Sequence, residues 1–497
     1  MSLTSRSPAR PSRRLRAALL IAASAGLIAA GVPQPQPLGI GDPLFPHLGN
    51  PGYDVLTYDI AFTYQGDNTK PLDAFTRIDA RATARLDRIN LDFTHGTVRS
   101  VHVNGLRAEF ASSGEDLVVL PVQPVEQGTP LSIAVSHTSD PSGPRDAGGW
   151  VRTSDGLAMA NQADAAHRVF PGNDHPADKA YFTFRITAPK ELTAVANGRR
   201  IARAVAGDRQ TWLYRTAHPM ATELAQVTIG RSAVVERTGP RGLPVRDVVP
   251  AADAQRLEPW LAKTPGHLEW MERLVGRYPF ETYGVLVADA DTGFQLETQT
   301  LSLFERSLFA DGDYPKWFVD SIMVHELAHQ WFGNSVSPRT WSDLWLNEGH
   351  ATWYEALYAE ETAQLSLEQR MRNAYLASDG WRAAGGPPAA PKAPAPGEKT
   401  SLFRPVVYDG SALILYALRQ EIGKDAFERL ERRWVTQYAH STASTADFVR
   451  LASEVAGRDL TAFLKGWLYD AKTPRMPGHP DWRSKDPARG AQPGAKR

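Results

Sequence analysis

Two histidines, His325 and His329, stand four residues apart in the segment Val324-His-Glu-Leu-Ala-His-Gln330, with Glu326 between them. On a helix, residues four apart project from one face about one turn apart, so both imidazoles can reach one tetrahedral ion. Glu326, rotated about 100° from His325, falls beside the open position of that ion and outside its coordination shell, where it can take a proton from water. Leu327 and Ala328 carry no charge, as a helix buried around a metal requires. A second helical segment, Ser342-Asp-Leu-Trp-Leu-Asn-Glu348, supplies Glu348 as a third ligand after a Pro-containing turn. Two nitrogens and one carboxylate leave a coordination position free, the pattern of a hydrolytic and not a structural site. One zinc ion per chain is the expected cofactor.

The elements that must hold these residues are signalled as well. Asp313 is a plausible N-cap and Pro315 a first-turn residue for the helix bearing the histidines, with Gly333 and Asn334 just past its end. Upstream, from about Tyr53 to Glu236, strand-like stretches such as Thr57-Tyr-Asp-Ile-Ala-Phe-Thr-Tyr64 alternate with Gly, Asp, Asn and Pro turns. The chain therefore reads as a multidomain α and β protein: an all-β domain over 45–238, then a mixed α/β domain over 239–472 that carries the metal residues. Ala383 to Gly397 is low in complexity and is expected as a surface loop, and 473–497, rich in Pro and basic residues, as a disordered tail. His350 and His175 lack ligand spacing and are expected to be structural. Asp343 and Asn347 are polar and near the ligands in sequence, without indicating which one orients an imidazole.

With 497 residues and a net charge of zero, the composition is that of an ordinary globular chain and offers no basic surface for nucleic acid. Arg10, Arg13, Arg14 and Arg16 precede an apolar run from Ala17 to Gly31, followed by Val32-Pro-Gln-Pro-Gln-Pro37. That is the layout of a signal peptide over 1–31, with a linker over 32–44. The run is shorter than the roughly 20 residues of a spanning helix, so export without a stable membrane span is expected. The alternatives are a twin-arginine route, suggested by Arg13-Arg14, and an uncleaved anchor. The absence of cysteine excludes disulfides, thiolate ligands and a cysteine nucleophile. Nothing in the sequence fixes an oligomeric state.

From about residue 41 to 475 the chain resembles the gluzincin aminopeptidase family, which includes aminopeptidase N and the leukotriene hydrolases. Gln162-Ala-Asp-Ala-Ala-His-Arg-Val-Phe-Pro171 and Asn173-Asp-His-Pro-Ala-Asp-Lys179 are similar to that family's stretch ending in FPC-x-DEP-x-x-K, and Val195-Ala-Asn-Gly198 to its SNG turn. Gly293-Phe-Gln-Leu-Glu-Thr298 is similar to its GAMEN segment, and Val407-Tyr-Asp-Gly-Ser-Ala412 to its Y-x-K-G-A segment. The resemblance implies a saddle-shaped β domain before a thermolysin-like catalytic domain. It places Glu297 and Gln162 on groups that receive a free α-ammonium, and Tyr408 on the tyrosine that hydrogen-bonds a developing oxyanion. Phe294, Thr298 and the pair Gly410-Ser411 depart from the family pattern, which bears on pocket shape. Leu296 is expected to line the first side-chain pocket, with Gln295 beside it. The sequence ends before the helical roof that most members add, so a more open site is expected.

These features together lead to the expectation of a zinc aminopeptidase acting on peptides with a free N-terminus. Alone, Glu297 reads equally as a strand carboxylate and Tyr408 as a core residue. The competing readings are a thermolysin-like endopeptidase, an epoxide hydrolase-like activity, and a non-catalytic peptide-binding protein on the same fold.

Overall fold

The computed structural model describes residues 36–143, 148–290, 292–310, 312–395 and 399–485. The expected signal peptide, the first linker residues and the end of the basic tail lie outside the described residues. Among the described residues no helix is long and apolar enough to cross a membrane.

Alternation of apolar and polar side chains builds the N-terminal half. In Tyr53–Thr63, residues Tyr58, Ile60 and Phe62 turn inward while their neighbours face water, and Ile78 and Ala80 do the same in the antiparallel partner Leu72–Ala82. These two strands sit in a ten-stranded sheet that runs from the edge strand Arg199–Ala206 to Ile89–Asp92. In a second sheet of four strands, Leu157–Ala160 and Val227–Gly230 are buried along their whole length. This is the expected all-β architecture.

A third sheet begins the catalytic half: Ser232–Thr238, Pro244–Pro250, Val285–Ala288 and Ser302–Glu305. The first of these strands, which the sequence grouped with the β domain ending at residue 238, pairs antiparallel with Pro244–Pro250 and so belongs to the following unit. A hairpin closes the pair locally, which composition does not reveal. Strand Val285–Ala288, flanked by parallel neighbours, is apolar on both faces, as a parallel strand covered on both sides requires. Leu286 and Ala288 join the core of the β half, and Val285 and Val287 that of the helical half.

Nine helices follow among the described residues: α1 (Ala254–Leu261), α2 (Thr264–Val275), α3 (Lys316–Ala328), α4 (Trp345–Ala363), α5 (Leu367–Gly385), α6 (Asp409–Ile422), α7 (Lys424–Gln437), α8 (Thr445–Ala456) and α9 (Thr461–Tyr469). Helix α3 starts two residues later than Asp313 suggested. Pro315 is its N-cap, and the carbonyl of Pro315 accepts the amides of Phe318 and Val319 at 2.9 and 3.3 Å.

Three tethers join the halves around the site. The Lys179 ammonium donates to the carbonyls of Asn334 and Ser335 at 2.7 and 3.0 Å, tying the β half to the turn after α3. Asp42, in the expected linker, is buried instead; it accepts the Trp341 amide at 2.8 Å and pairs with His175 at 3.0 Å. His175 is thus structural, as its spacing suggested. A small apolar cluster around Trp341 also contains Ala163 and Val407, the neighbours of Gln162 and Tyr408.

Two expectations are corrected, a surface loop over 383–397 and a disordered tail from residue 473. Helix α5 continues through Gly385, and Ala389 in the low-complexity stretch is buried, its amide bonded to the Leu468 carbonyl at 3.1 Å. Residues 473–485 pack as well: Met476 and Trp482 are buried, and the Trp482 ring stacks on Tyr416 with centroids 5.9 Å apart. A few large apolar side chains anchor a segment whose average composition is polar. Trp482→Ala should therefore cost about 3 kcal/mol, read as a lower urea-unfolding midpoint; a wild-type midpoint would contradict the packing.

Candidate metal centre

Helix α3 presents His325, Glu326 and the terminal His329, and α4 presents Glu348 across from them. The three expected ligands offer donor atoms within 4.8 Å of one another. Glu348 Oε2 lies 3.3 Å from His325 Nε2 and 3.4 Å from His329 Nε2. Two ligand atoms each about 2.05 Å from a tetrahedral ion lie roughly 3.3 Å apart, so this spacing fits zinc. Glu348 Oε2 and Glu326 Oε2 are buried with no hydrogen-bond partner among the described residues, a costly state for carboxylate oxygens unless a cation and water satisfy them. The residues present therefore fit the metal.

Both imidazoles are held with Nε2 toward this point. His325 Nδ1 lies 3.0 Å from Glu355 Oε2, and a carboxylate only accepts, so Nδ1 carries the hydrogen and Nε2 the lone pair. Arg370 Nη1 holds the other oxygen of Glu355 at 2.7 Å, and Arg370 Nε reaches Asp409 at 2.9 Å. His329 Nδ1 meets Asn347 Oδ1 at 2.5 Å and, at 3.3 Å, the Phe332 carbonyl. The Asn347 amide is oriented in turn by Glu297, to which its Nδ2 donates at 3.0 Å.

Glu297 is itself buried and pinned. Its main-chain carbonyl accepts from Gln330 Nε2 at 3.1 Å and Asn334 Nδ2 at 2.6 Å, two residues at the end of α3. Gln162 Nε2 donates to Glu297 Oε1 at 2.6 Å, which leaves Gln162 Oε1 and Glu297 Oε2 without a hydrogen bond among the described residues. Both residues line one cavity of about 770 Å³ with the ligands, Glu326 and Tyr408. Burial pushes the Glu326 carboxyl up to about 8, against the pull of His325 and His329. Desolvation, then the carboxylates of Glu348, Glu297 and Glu326, holds the Tyr408 phenol well above its ordinary range, so it keeps its proton and can donate.

The structure thus brings together His325, Glu326, His329, Glu348, Glu297, Gln162 and Tyr408. Gln295 lines the cavity too, with its side-chain Oε1 accepting the Glu305 main-chain amide at 3.2 Å. Leu296 does not line it. Its side chain is buried in the core of the β half, because successive residues of this extended segment face opposite sides and Gln295 and Glu297 take the cavity side. Phe294 stands at the wall instead. His350 is structural: it is stacked on Phe332 with centroids 4.4 Å apart, and its Nδ1 meets the Leu346 carbonyl at 2.6 Å.

Sequence reasoning missed Glu355, Arg370, Gln330 and Asn334, and left Asn347 and Asp343 undecided. Asp343 bonds Thr340 and Thr445, away from the imidazoles. Glu355 had a signal: it lies seven residues after Glu348, two turns along the same face of α4. Two glycines set the spacing. A Cβ on Gly333, whose φ is +122°, would stand 2.0 Å from Asn347 Oδ1, and one on Gly349 would stand 2.7 Å from the Cβ of Ser411 on α6. The second close approach seats α6, and with it Tyr408, against α4.

Comparison with known proteins agrees with this geometry. Residues 261–467 match the Peptidase family M1 domain and residues 157–224 the Peptidase M1 N-terminal domain. The chain is similar to Aminopeptidase M1-B of Oryza sativa subsp. japonica, 27% identical over 345 residues, covering 64% of this chain and 38% of that protein. It is also similar to glutamyl aminopeptidase of Mus musculus, 26% identical over 323 residues, covering 62% and 34%. The chain thus spans little more than a third of these curated relatives. Among solved structures, the M1 zinc metallopeptidase of Deinococcus radiodurans superposes with a TM-score of 0.76 at 26% identity, covering 88% of this chain and 98% of that one. A mutant of that protein bound to a Tyr-Ser-Ala substrate gives the same TM-score, covering 89% and 100%. Fold and site together are those of a zinc metallopeptidase with a β domain before its metal helices. The chain belongs to the M1 peptidase family.

Because the Asn347 amide is the nearer of the two acceptors that orient His329, Asn347→Ala should weaken zinc binding about 10- to 100-fold, and Gly333→Ala should do the same by displacing that amide. Competition with a fluorescent chelator measures it; wild-type affinity in both variants would contradict the assignment.

Proposed function

We propose that this chain is a zinc-dependent aminopeptidase that removes the N-terminal residue from peptides bearing a free α-amine. The observation that carries the reading is that Glu297 and Gln162, joined by one hydrogen bond, line the cavity that holds the metal ligands, each keeping an oxygen without a hydrogen bond among the described residues. An α-ammonium, whose pKa near 8 keeps it mostly charged at neutral pH, fits between them. A retired peptidase that only binds peptides would have no need of Glu326 with a free carboxylate oxygen beside complete ligands.

The chemistry divides among the residues. Zinc bound by His325, His329 and Glu348 supplies a Lewis acid that makes water nucleophilic near neutral pH. Glu326 takes the proton from the attacking water and passes it to the leaving amine. Tyr408 donates its hydroxyl hydrogen to the oxyanion as the carbonyl becomes tetrahedral. Glu297 and Gln162 hold the amine, so that the first peptide bond and no later one lies at Tyr408. This last role separates the reading from a thermolysin-like endopeptidase, whose cleft must let the chain continue past that end. The basic and apolar leader supports export as the destination.

The test is a panel of aminoacyl anilides, free and N-acetylated, with and without a chelator, on wild type and Glu326→Gln. Acetylation leaves the Glu297 carboxylate unpaired in a desolvated site, so turnover should fall at least about 100-fold. Glu326→Gln should keep its zinc and lose about 100- to 10,000-fold in kcat. Equal cleavage of blocked and free anilides would make the protein an endopeptidase, and full activity of Glu326→Gln would remove that residue from the mechanism.

A further inference from the structure

Beyond the metal cavity, a second hollow of about 590 Å³ opens between the first turn of α3, the C-terminal half of α4 and the start of α5. The two share Glu355, Arg370, Trp381 and Asp409 as wall, so one groove runs from Glu297 past His325 and onward. Ile322 lines its metal end, and Phe318, one turn earlier on the same face of α3, lines its far end. Ala356 and Ala359 of α4 are small and give the trough its depth. Trp317 and Leu365 stand at its rim 40% and 41% exposed, large apolar side chains left in water. On the α5 rim, Gln369 Nε2 donates to Asn373 Oδ1 at 3.0 Å. Gln369 Oε1 and Asn373 Nδ2 make no hydrogen bond among the described residues, and so offer the acceptor and donor that an extended peptide group needs.

We infer that this trough seats the leaving part of a peptide substrate and takes an apolar or aromatic side chain at the third residue. Its direction rests on the aminopeptidase reading above. With the amine fixed at Glu297 and Gln162 and the scissile carbonyl at Tyr408, the peptide departs away from Glu297. Its first leaving residue passes between Ile322 and Arg370, and the next reaches Phe318 and Trp317. The junction also sets a minimum length. Arg370 is already paired with both Glu355 and Asp409, so the surplus charge there is negative and repels the terminal carboxylate that a dipeptide would place beside it. A tripeptide carries that carboxylate past the junction.

The experiment compares kcat/KM for Ala-Ala, Ala-Ala-Ala and Ala-Ala-Phe on the zinc-loaded enzyme, and the Kd of the two tripeptides for zinc-loaded Glu326→Gln by calorimetry. Partial burial of one phenyl ring should favour Ala-Ala-Phe over Ala-Ala-Ala about tenfold in both measurements, with Ala-Ala the poorest substrate. Trp317→Ser and Leu365→Ser should each reduce that ratio to about threefold or less, while cleavage of alanine p-nitroanilide, which is too short to enter the trough, stays at the wild-type rate. Equal values for the two tripeptides, or a ratio untouched in both serine variants, would overturn the inference. Failure of the wild type to cleave alanine p-nitroanilide would overturn the aminopeptidase reading instead, and the Kd ratio would still decide the trough.

Discussion

The side-chain amide of Asn347 is shared between two tasks. Its oxygen takes the Nδ1 hydrogen of His329, and its nitrogen donates to Glu297. A carboxylate cannot donate, so Glu297 forces the amide into one orientation; the amide oxygen, with the Phe332 carbonyl 3.3 Å from the same nitrogen, holds His329 in one tautomer, and that tautomer turns a lone pair toward the metal. The group that would hold a substrate amine therefore also sets the metal ligand. On the proposed function, ammonium and metal subsites would keep a fixed separation because both are referenced to the same residue, and that separation would restrict cleavage to one peptide bond.

Much of the surrounding architecture serves that arrangement. Gly333 leaves room for the amide oxygen, and Gly349 lets α6 approach α4 closely enough to bring Tyr408 to the same cavity. Gln330 and Asn334 clamp the backbone of Glu297 to the end of α3. Lys179, reaching from the β half, holds the carbonyls of Asn334 and Ser335. The β domain is thus a wall of the site: it supplies Gln162 and fixes the turn on which the metal helix ends.

What could be read from the sequence follows from the range of the physics involved. His325, Glu326 and His329 are set by helix periodicity, a local property, and were legible from spacing alone. Glu348 needed a second helix and was legible because its turn and helix signals are strong. Glu297, Gln162 and Tyr408 come from distant segments, and only resemblance to a family linked them before the structure placed them in one cavity. Asn347 was visible as a polar neighbour, but its role depends on which way an amide faces, and that is decided by Glu297, fifty residues away. Leu296 was misplaced because the face an extended segment presents depends on what packs on either side. Strand Ser232–Thr238 and the segment carrying Trp482 were misassigned for a related reason: average composition does not register one hairpin or one buried indole.

The shared amide is tested most directly by zinc affinity in two variants at a residue that is not a ligand. Glu297→Gln and Glu297→Met lose the same charge, but only glutamine keeps an oxygen for Asn347 Nδ2 to donate to. The account predicts that Glu297→Met binds zinc about tenfold more weakly than Glu297→Gln, because its Asn347 amide is free to turn and leaves His329 only the longer contact to the Phe332 carbonyl. Equal zinc affinities in the two variants would contradict it.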